Sequence, residues 1–143
     1  MSSFPRVTAV WLVATGLLVL TGCGSVPVKI RGKVTLNGTP VEAGTITFIP
    51  EDQTKGRSGG ASIAQGAYQV DAGNPPPPGM YRIEITAPKK TGNKIPAGSP
   101  APPGTMIDEM TEAVPTKYNT KSELKRELKA GDNVFDFDLT SGK

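Results

Sequence analysis

Val26-Pro27-Val28-Lys29-Ile30-Arg31-Gly32-Lys33-Val34-Thr35-Leu36-Asn37-Gly38-Thr39-Pro40 is the stretch on which the fold turns. In an extended chain successive side chains point to opposite faces, so Val26, Val28, Ile30, Gly32, Val34 and Leu36 share one side and Lys29, Arg31, Lys33 and Thr35 the other. One face is dry and the other wet. Asn37-Gly38 is the dipeptide that best tolerates the positive φ of a tight hairpin, so the chain is expected to reverse into a second strand. Ile46 and Phe48 carry the core face of that strand, with Thr45 and Thr47 outside.

The same alternation recurs along the chain. A weak strand ends near Ile63 and Ala64, Gln65-Gly66 makes a tight turn, and Tyr68 and Val70 share the next inner face. Pro75 to Pro78, inside Gly73 to Gly79, must interrupt pairing because proline donates no ladder hydrogen bond. Tyr81, Ile83 and Ile85 then alternate with Arg82, Glu84 and Thr86, and near the end Phe135, Phe137 and Leu139 alternate with Val134, Asp136 and Asp138. Strands are thus expected within 26–50, 61–71, 80–87 and 133–140, with Ile30, Val34, Phe48, Ile83, Phe135 and Phe137 in one core. Two segments lack this signal. Residues 88–117 hold six Pro and three Gly and predict a long irregular loop with at most a helical turn around Asp108 to Ala113. In 122–130, Leu124 and Leu128 fit helical spacing, while Leu124, Arg126 and Leu128 fit a strand. Local propensity, with Gly131 as a cap, favours the helix. Many short strands with one apolar face predict an all-β, antiparallel β-sandwich of about seven strands.

The chain has 143 residues, a length for one domain. It contains no His and a single Cys, which excludes imidazole-based triads and zinc sites, an internal disulfide and a thiolate metal cluster. No Ser, Lys or carboxylate stands in a nucleophile-elbow, SxxK or phosphate-loop context. The reading is therefore non-enzymatic, with no cofactor and no metal.

Residues 1–22 have the form of a cleaved helical signal peptide: Arg6, an apolar run from Val7 to Leu20, then small residues. The run spans 14 residues and contains Thr8, Thr15 and Gly16, too short for the roughly 17–25 residues of a spanning helix. Leu20-Thr21-Gly22-Cys23 resembles the lipobox of bacterial lipoproteins, which implies cleavage before Cys23 and acylation of its sulfur. Residues 23–25 would then be a lipidated tether and 26–143 the domain. Gly24, where an Asp would imply inner-membrane retention in some bacteria, favours the outer membrane or cell surface by the same resemblance. Removing residues 1–22 takes only Arg6 from the 16 Lys and Arg and leaves all 13 Asp and Glu, a balance with no nucleic-acid footprint.

Ile30 to Val41, Ile46-Thr47-Phe48-Ile49-Pro50, Gly66-Ala67-Tyr68 and Pro78-Gly79-Met80-Tyr81-Arg82-Ile83 together resemble the transthyretin-like, carboxypeptidase-regulatory-like β-sandwich modules. Pro115-Thr116-Lys117-Tyr118-Asn119 and Asn133 to Leu139 are similar to the subset that forms small bacterial lipoproteins, in which the segment matching Leu124 is a strand. Ile63-Ala64-Gln65-Gly66 departs from the acidic residues that family carries before the glycine. The resemblance implies an Ig-like sandwich with an accessory, non-catalytic role, and it names no ligand.

Among candidate sites, Lys29, Arg31 and Lys33 could meet phosphate or acidic glycans, but a solvated strand face is the simpler reading. Asp132, Asp136 and Asp138 offer oxygen ligands for calcium without a cradling loop, so solvation or pairing with the basic stripe is favoured. Tyr68, Tyr81 and Tyr118 fit inward packing with the hydroxyl at the rim better than sugar stacking. Pro75 to Pro78 fit a stiff connector better than a polyproline ligand. Counting strand reversals from the tether places loop 88–117 at the pole away from the lipid, with Lys94, Ser99, Met106 and Glu109 as contact residues. The expected function is a lipid-anchored, non-enzymatic binding or structural module of the envelope that displays loops to a glycan, peptide or protein. The alternative is an unrecognised hydrolase using Ser or Asp/Glu chemistry.

Overall fold

The computed structural model describes residues 26–53, 56–71 and 73–142. β1 (Val28–Leu36), β2 (Thr39–Pro40), β3 (Ala43–Pro50), β4 (Gly59–Ala64), β5 (Ala67–Gln69) and β6 (Gly79–Thr86) come first. They are followed by β7 (Pro88–Pro96), β8 (Met106–Glu112), a 3-10 turn at Thr116–Tyr118, β9 (Lys125–Leu128), β10 (Gly131–Val134) and β11 (Phe137–Leu139). Seven strands are hydrogen-bonded in the order β10-β1-β5-β4-β3-β6-β9, with β2 and β11 also beside β1. The fold is all-β and sandwich-like, and its layers are parts of one curled sheet.

Alternation builds the core. Val28, Ile30 and Val34 of β1, Ile46 and Phe48 of β3, Tyr81, Ile83 and Ile85 of β6, Leu128 of β9 and Phe137 and Leu139 of β11 are all buried together. Side chains of this size contribute about 1.5–3 kcal/mol each on burial. Phe135 is only partly buried against this core, and Val26 is 62% exposed, so the first strand begins two residues later than the alternation predicts. The turns are those the dipeptides predict: φ is positive at Asn37 (52°) and Gly38 (79°), and again at Gln65 (52°) and Gly66 (78°).

Three expectations are corrected. First, the sheet is not wholly antiparallel, because the last strand lies parallel to the first: Val28 faces Gly131 and Val34 faces Phe137. The common register makes β10 and β11 one strand interrupted at Phe135-Asp136. In a parallel ladder the Phe135 N–H donates to the Arg31 carbonyl, as it does at 3.0 Å, and the Lys33 N–H would donate to the Phe135 carbonyl. That carbonyl instead accepts the Tyr68 hydroxyl at 2.9 Å, and the Asp136 carboxylate takes the Lys33 N–H at 2.8 Å. A buried phenol thereby gains an acceptor. Gly32 makes the arrangement possible, since a Cβ there would lie 1.8 Å from the Phe135 oxygen.

Second, residues 122–130 hold strand β9 and not a helix. Arg82 pairs with Lys125 and Gly79 with Leu128, and pairing against the core overrides weak helical propensity. The Arg126 guanidinium lies 5.2 Å from the Phe137 ring centroid and 5.9 Å from that of Phe135, linking the edge strand β9 to the other edge. Asn133, also buried, accepts the Lys129 N–H and donates to the Lys29, Lys129 and Gly131 carbonyls, which fixes the β9–β10 turn. Third, 88–117 is neither irregular nor helical at Asp108 to Ala113. Most of it is the two-stranded sheet β7–β8.

Candidate functional site: the distal hairpin and its groove

The register fixes where this hairpin stands. β1 runs from Val28 to Leu36, and the Val41 N–H returns to the Val34 carbonyl at 3.1 Å, so β3 starts at the pole where β1 ends. β6 runs antiparallel to β3, with Pro50 facing Tyr81 and Thr45 facing Thr86, and so ends at that same pole. The hairpin follows at once. Its base therefore lies opposite the end at which the chain enters β1, where strand counting puts it. Glu112 clamps the base, its Oε1 accepting the Ala87 N–H at 2.8 Å and the Val114 N–H at 2.9 Å.

Cross-strand pairing sorts the hairpin into two faces. Lys90 faces Met110, Lys94 faces Asp108, and Pro96 faces Met106, so these residues share one face. On the other, Ile95 faces Ile107 and Lys89 faces Thr111. Between Lys90 and Lys94 the register shifts, and Thr91 and Asn93 both donate to Glu109 Oε2, at 2.6 and 3.1 Å. On the first face Asp108 is held by Lys90 Nζ at 2.5 Å and Lys94 Nζ at 3.2 Å. The hydrogen bond from Lys90, then that from Lys94, holds the Asp108 carboxyl below the ordinary carboxylate range, and the Asp108 contact raises Lys90. The tip, 97–105, closes through the Ala97 N–H to the Thr105 carbonyl at 2.7 Å.

Of the four sequence-predicted contact residues, Lys94 and Met106 stand on the Asp108 face, Glu109 on the opposite face, and Ser99 at the tip. They do not converge. What the hairpin does form is a groove of about 630 Å³ between its base and the distal end of the body, lined by Leu36, Pro40, Val41, Ala87, Lys90 and Met110 among others. Sequence reasoning missed Lys90, Asp108 and Met110. The period-two series Met106, Asp108, Met110, Glu112 is the signal that could have found them.

The remaining candidates occupy structural places. Lys29 lies opposite Asp132 in the ladder, Asp136 accepts the Lys33 N–H, and the Thr35 hydroxyl donates to Asp138 at 2.7 Å. Among the described residues no group of three or more His, Cys, Asp or Glu is placed to hold a metal ion. Tyr68 and Tyr81 are buried, their hydroxyls donating to the Phe135 and Pro77 carbonyls, which leaves neither ring open for stacking. Pro76 is buried as well, and Arg57 donates to the Pro75 carbonyl at 2.6 Å, so the proline run is packed as a connector. Leu20, Thr21, Gly22 and Cys23 lie outside the described residues. No family model, curated protein or solved structure matches the chain.

Proposed function

We propose that the chain is a lipid-anchored, non-enzymatic lipoprotein of the cell envelope, at the outer membrane or cell surface, whose body holds the β7–β8 hairpin outward as a contact surface. The observation that carries this reading is strand polarity. Two residues, Gly24 and Ser25, separate Cys23 from Val26, and the hairpin rises from the opposite pole, where a tether so short leaves it directed away from the bilayer. The lipobox-like Leu20-Thr21-Gly22-Cys23 and the resemblance to carboxypeptidase-regulatory-like lipoprotein modules support the anchor. Two or three acyl chains suffice for stable attachment where one gives only marginal binding. The partner is an envelope glycan, peptide or protein met through the exposed hairpin, as contacts concentrate on segments held by a rigid scaffold.

The test is Cys23→Ala with fractionation of the envelope. The reading predicts an uncleaved precursor or a soluble species. A processed Cys23→Ala protein that stayed in the membrane at wild-type levels would refute it.

A further inference from the structure

We infer that the outer face of the hairpin, carrying Lys89, Ile95, Ile107 and Glu109, stacks on the same face of a second copy of this chain, with both hairpin tips pointing the same way. This rests on the reading of the hairpin as a contact surface and names the partner it meets.

Charge is segregated between the two strands. β7 carries Lys89, Lys90 and Lys94 and no acid, whereas β8 carries Asp108, Glu109 and Glu112 and no base. Lys90 and Lys94 are engaged by Asp108 on the face whose Lys90 and Met110 line the groove, and Lys89, at the foot of the outer face, borders the groove as well. On the outer face Glu109 accepts only the neutral donors Thr91 and Asn93, and Lys89 forms no ion pair among the described residues. The directly opposed Ile95 and Ile107 are 40% and 47% exposed. One anion, one cation and an apolar pair therefore stand unmatched on a single face.

Edge-to-edge pairing of two copies is disfavoured. Pro88 and Pro96 end β7 and its register is broken in between, features that blunt an edge. A β8 edge paired with its own copy across Glu109 would set Glu109 against Glu109. Face stacking leaves two two-fold arrangements. With the axis across the hairpin, β7 lies over β7 with heights reversed, which sets Ile95 over Lys89, Ile107 over Thr111 and Glu109 over Glu109. With the axis along the hairpin, β7 lies over β8 at equal heights. Ile95 then covers Ile107, and Lys89, opposite Thr111, lies within side-chain reach of Glu109 one face position on. Only the second matches apolar with apolar and cation with anion. It also leaves both bases, and both tethers, on the same side, as two molecules on one membrane require.

A face the length of β8 covers on the order of 200–300 Å² per copy, well below the roughly 800 Å² per partner of a stable interface. The contact thus depends on confinement to the membrane, which raises the effective concentration.

Stacked sheets lie about 10 Å apart, beyond disulfide reach, so a short bifunctional maleimide on the full-length protein in its own membranes is the reporter. Ser99→Cys marks the tip and Thr111→Cys the base. Tip-to-tip and base-to-base products are expected, several-fold above tip-to-base products in cells expressing both variants under different tags. Lys89→Glu or Glu109→Lys alone should lower the yield several-fold, and the two together should restore it. Predominant tip-to-base product, no product, or no restoration by the double swap would overturn the inference. Wild-type protein treated in parallel tests the anchor separately, because its only thiol is Cys23. A wild-type dimer would mean a free thiol and defeat the lipid reading, while the ratio among the variants still decides the stacking.

Discussion

Phe48 and Ile107 are both large apolar side chains on β strands, yet Phe48 has no exposure and Ile107 is 47% exposed. The difference divides the molecule. The body is held by a shared apolar core, in which Phe48, Tyr68 and Phe137 lie with successive ring centroids 6.3 and 6.4 Å apart. The hairpin buries none of its strand residues and is held by its ladder, by Lys90 and Lys94 on Asp108, and by Thr91 and Asn93 on Glu109. Exposed ion pairs of this kind contribute little, and an isolated two-stranded hairpin is marginal in water. Large stability effects should therefore sit in the body and interaction effects in the hairpin.

The change expected to cost most is Gly32→Val. Its Cβ meets the Phe135 carbonyl, so either the β10–β11 strand leaves β1 or Tyr68 loses its acceptor, at about 4 kcal/mol or more. Denaturant unfolding measures this, and a loss under about 1 kcal/mol would show that the interruption at Phe135 is not a fixed part of the body. Phe137→Ala should cost about 3–5 kcal/mol, as deletion of a buried aromatic does. Deleting Gly92 to Glu109 removes far more chain, yet calorimetry should find the unfolding midpoint shifted by no more than the roughly 4–8 °C that 1 kcal/mol represents in a small domain. A fall as large as that of Phe137→Ala would merge hairpin and body into one cooperative unit.

The smallest expected effect is in phenol titration. The Thr140 hydroxyl, then its backbone N–H, holds Tyr118 below the ordinary tyrosine range, while burial first and Asp136 second push Tyr68 above it. Ultraviolet difference spectra should show Tyr118 ionising first and Tyr68 last. Because the folded value of Tyr68 is raised, its contribution to stability is complete below the ordinary value of about 10 and is lost as pH climbs through the folded one. Early ionisation of Tyr68 would place its ring outside the core.

The same contrast explains what was legible in the sequence. In β1, β3 and β6 one face is buried, so period two is written in residue type, and Asn37-Gly38 and Gln65-Gly66 announce their turns. β7 and β8 face solvent on both sides, so no apolar alternation marks them. Their register sets Lys90 and Lys94 against Asp108 across the ladder, a relation that composition does not carry. β9 was hidden differently: Lys125-Arg126-Glu127-Leu128 suits a helix locally, and only Leu128 in the core and pairing with β6 make it a strand. The parallel return beside β1 depends on chain ends more than 100 residues apart, which no local pattern reports. At the site, the exposure of Lys94, Ser99 and Met106 was legible, but the half-burial of Glu109 and the division of the four between two faces and a tip were not.

The central claim is that the body stands between the membrane and the hairpin. It is tested most directly by energy transfer on the protein purified from its own membranes and placed in vesicles containing acceptor lipid, with a donor dye on Gln53→Cys or on Ser99→Cys. Gln53 lies in the β3–β4 connection at the pole where β1 begins, and Ser99 at the hairpin tip. The account predicts strong transfer from position 53 and weak transfer from position 99. Equal or stronger transfer from position 99 would contradict it.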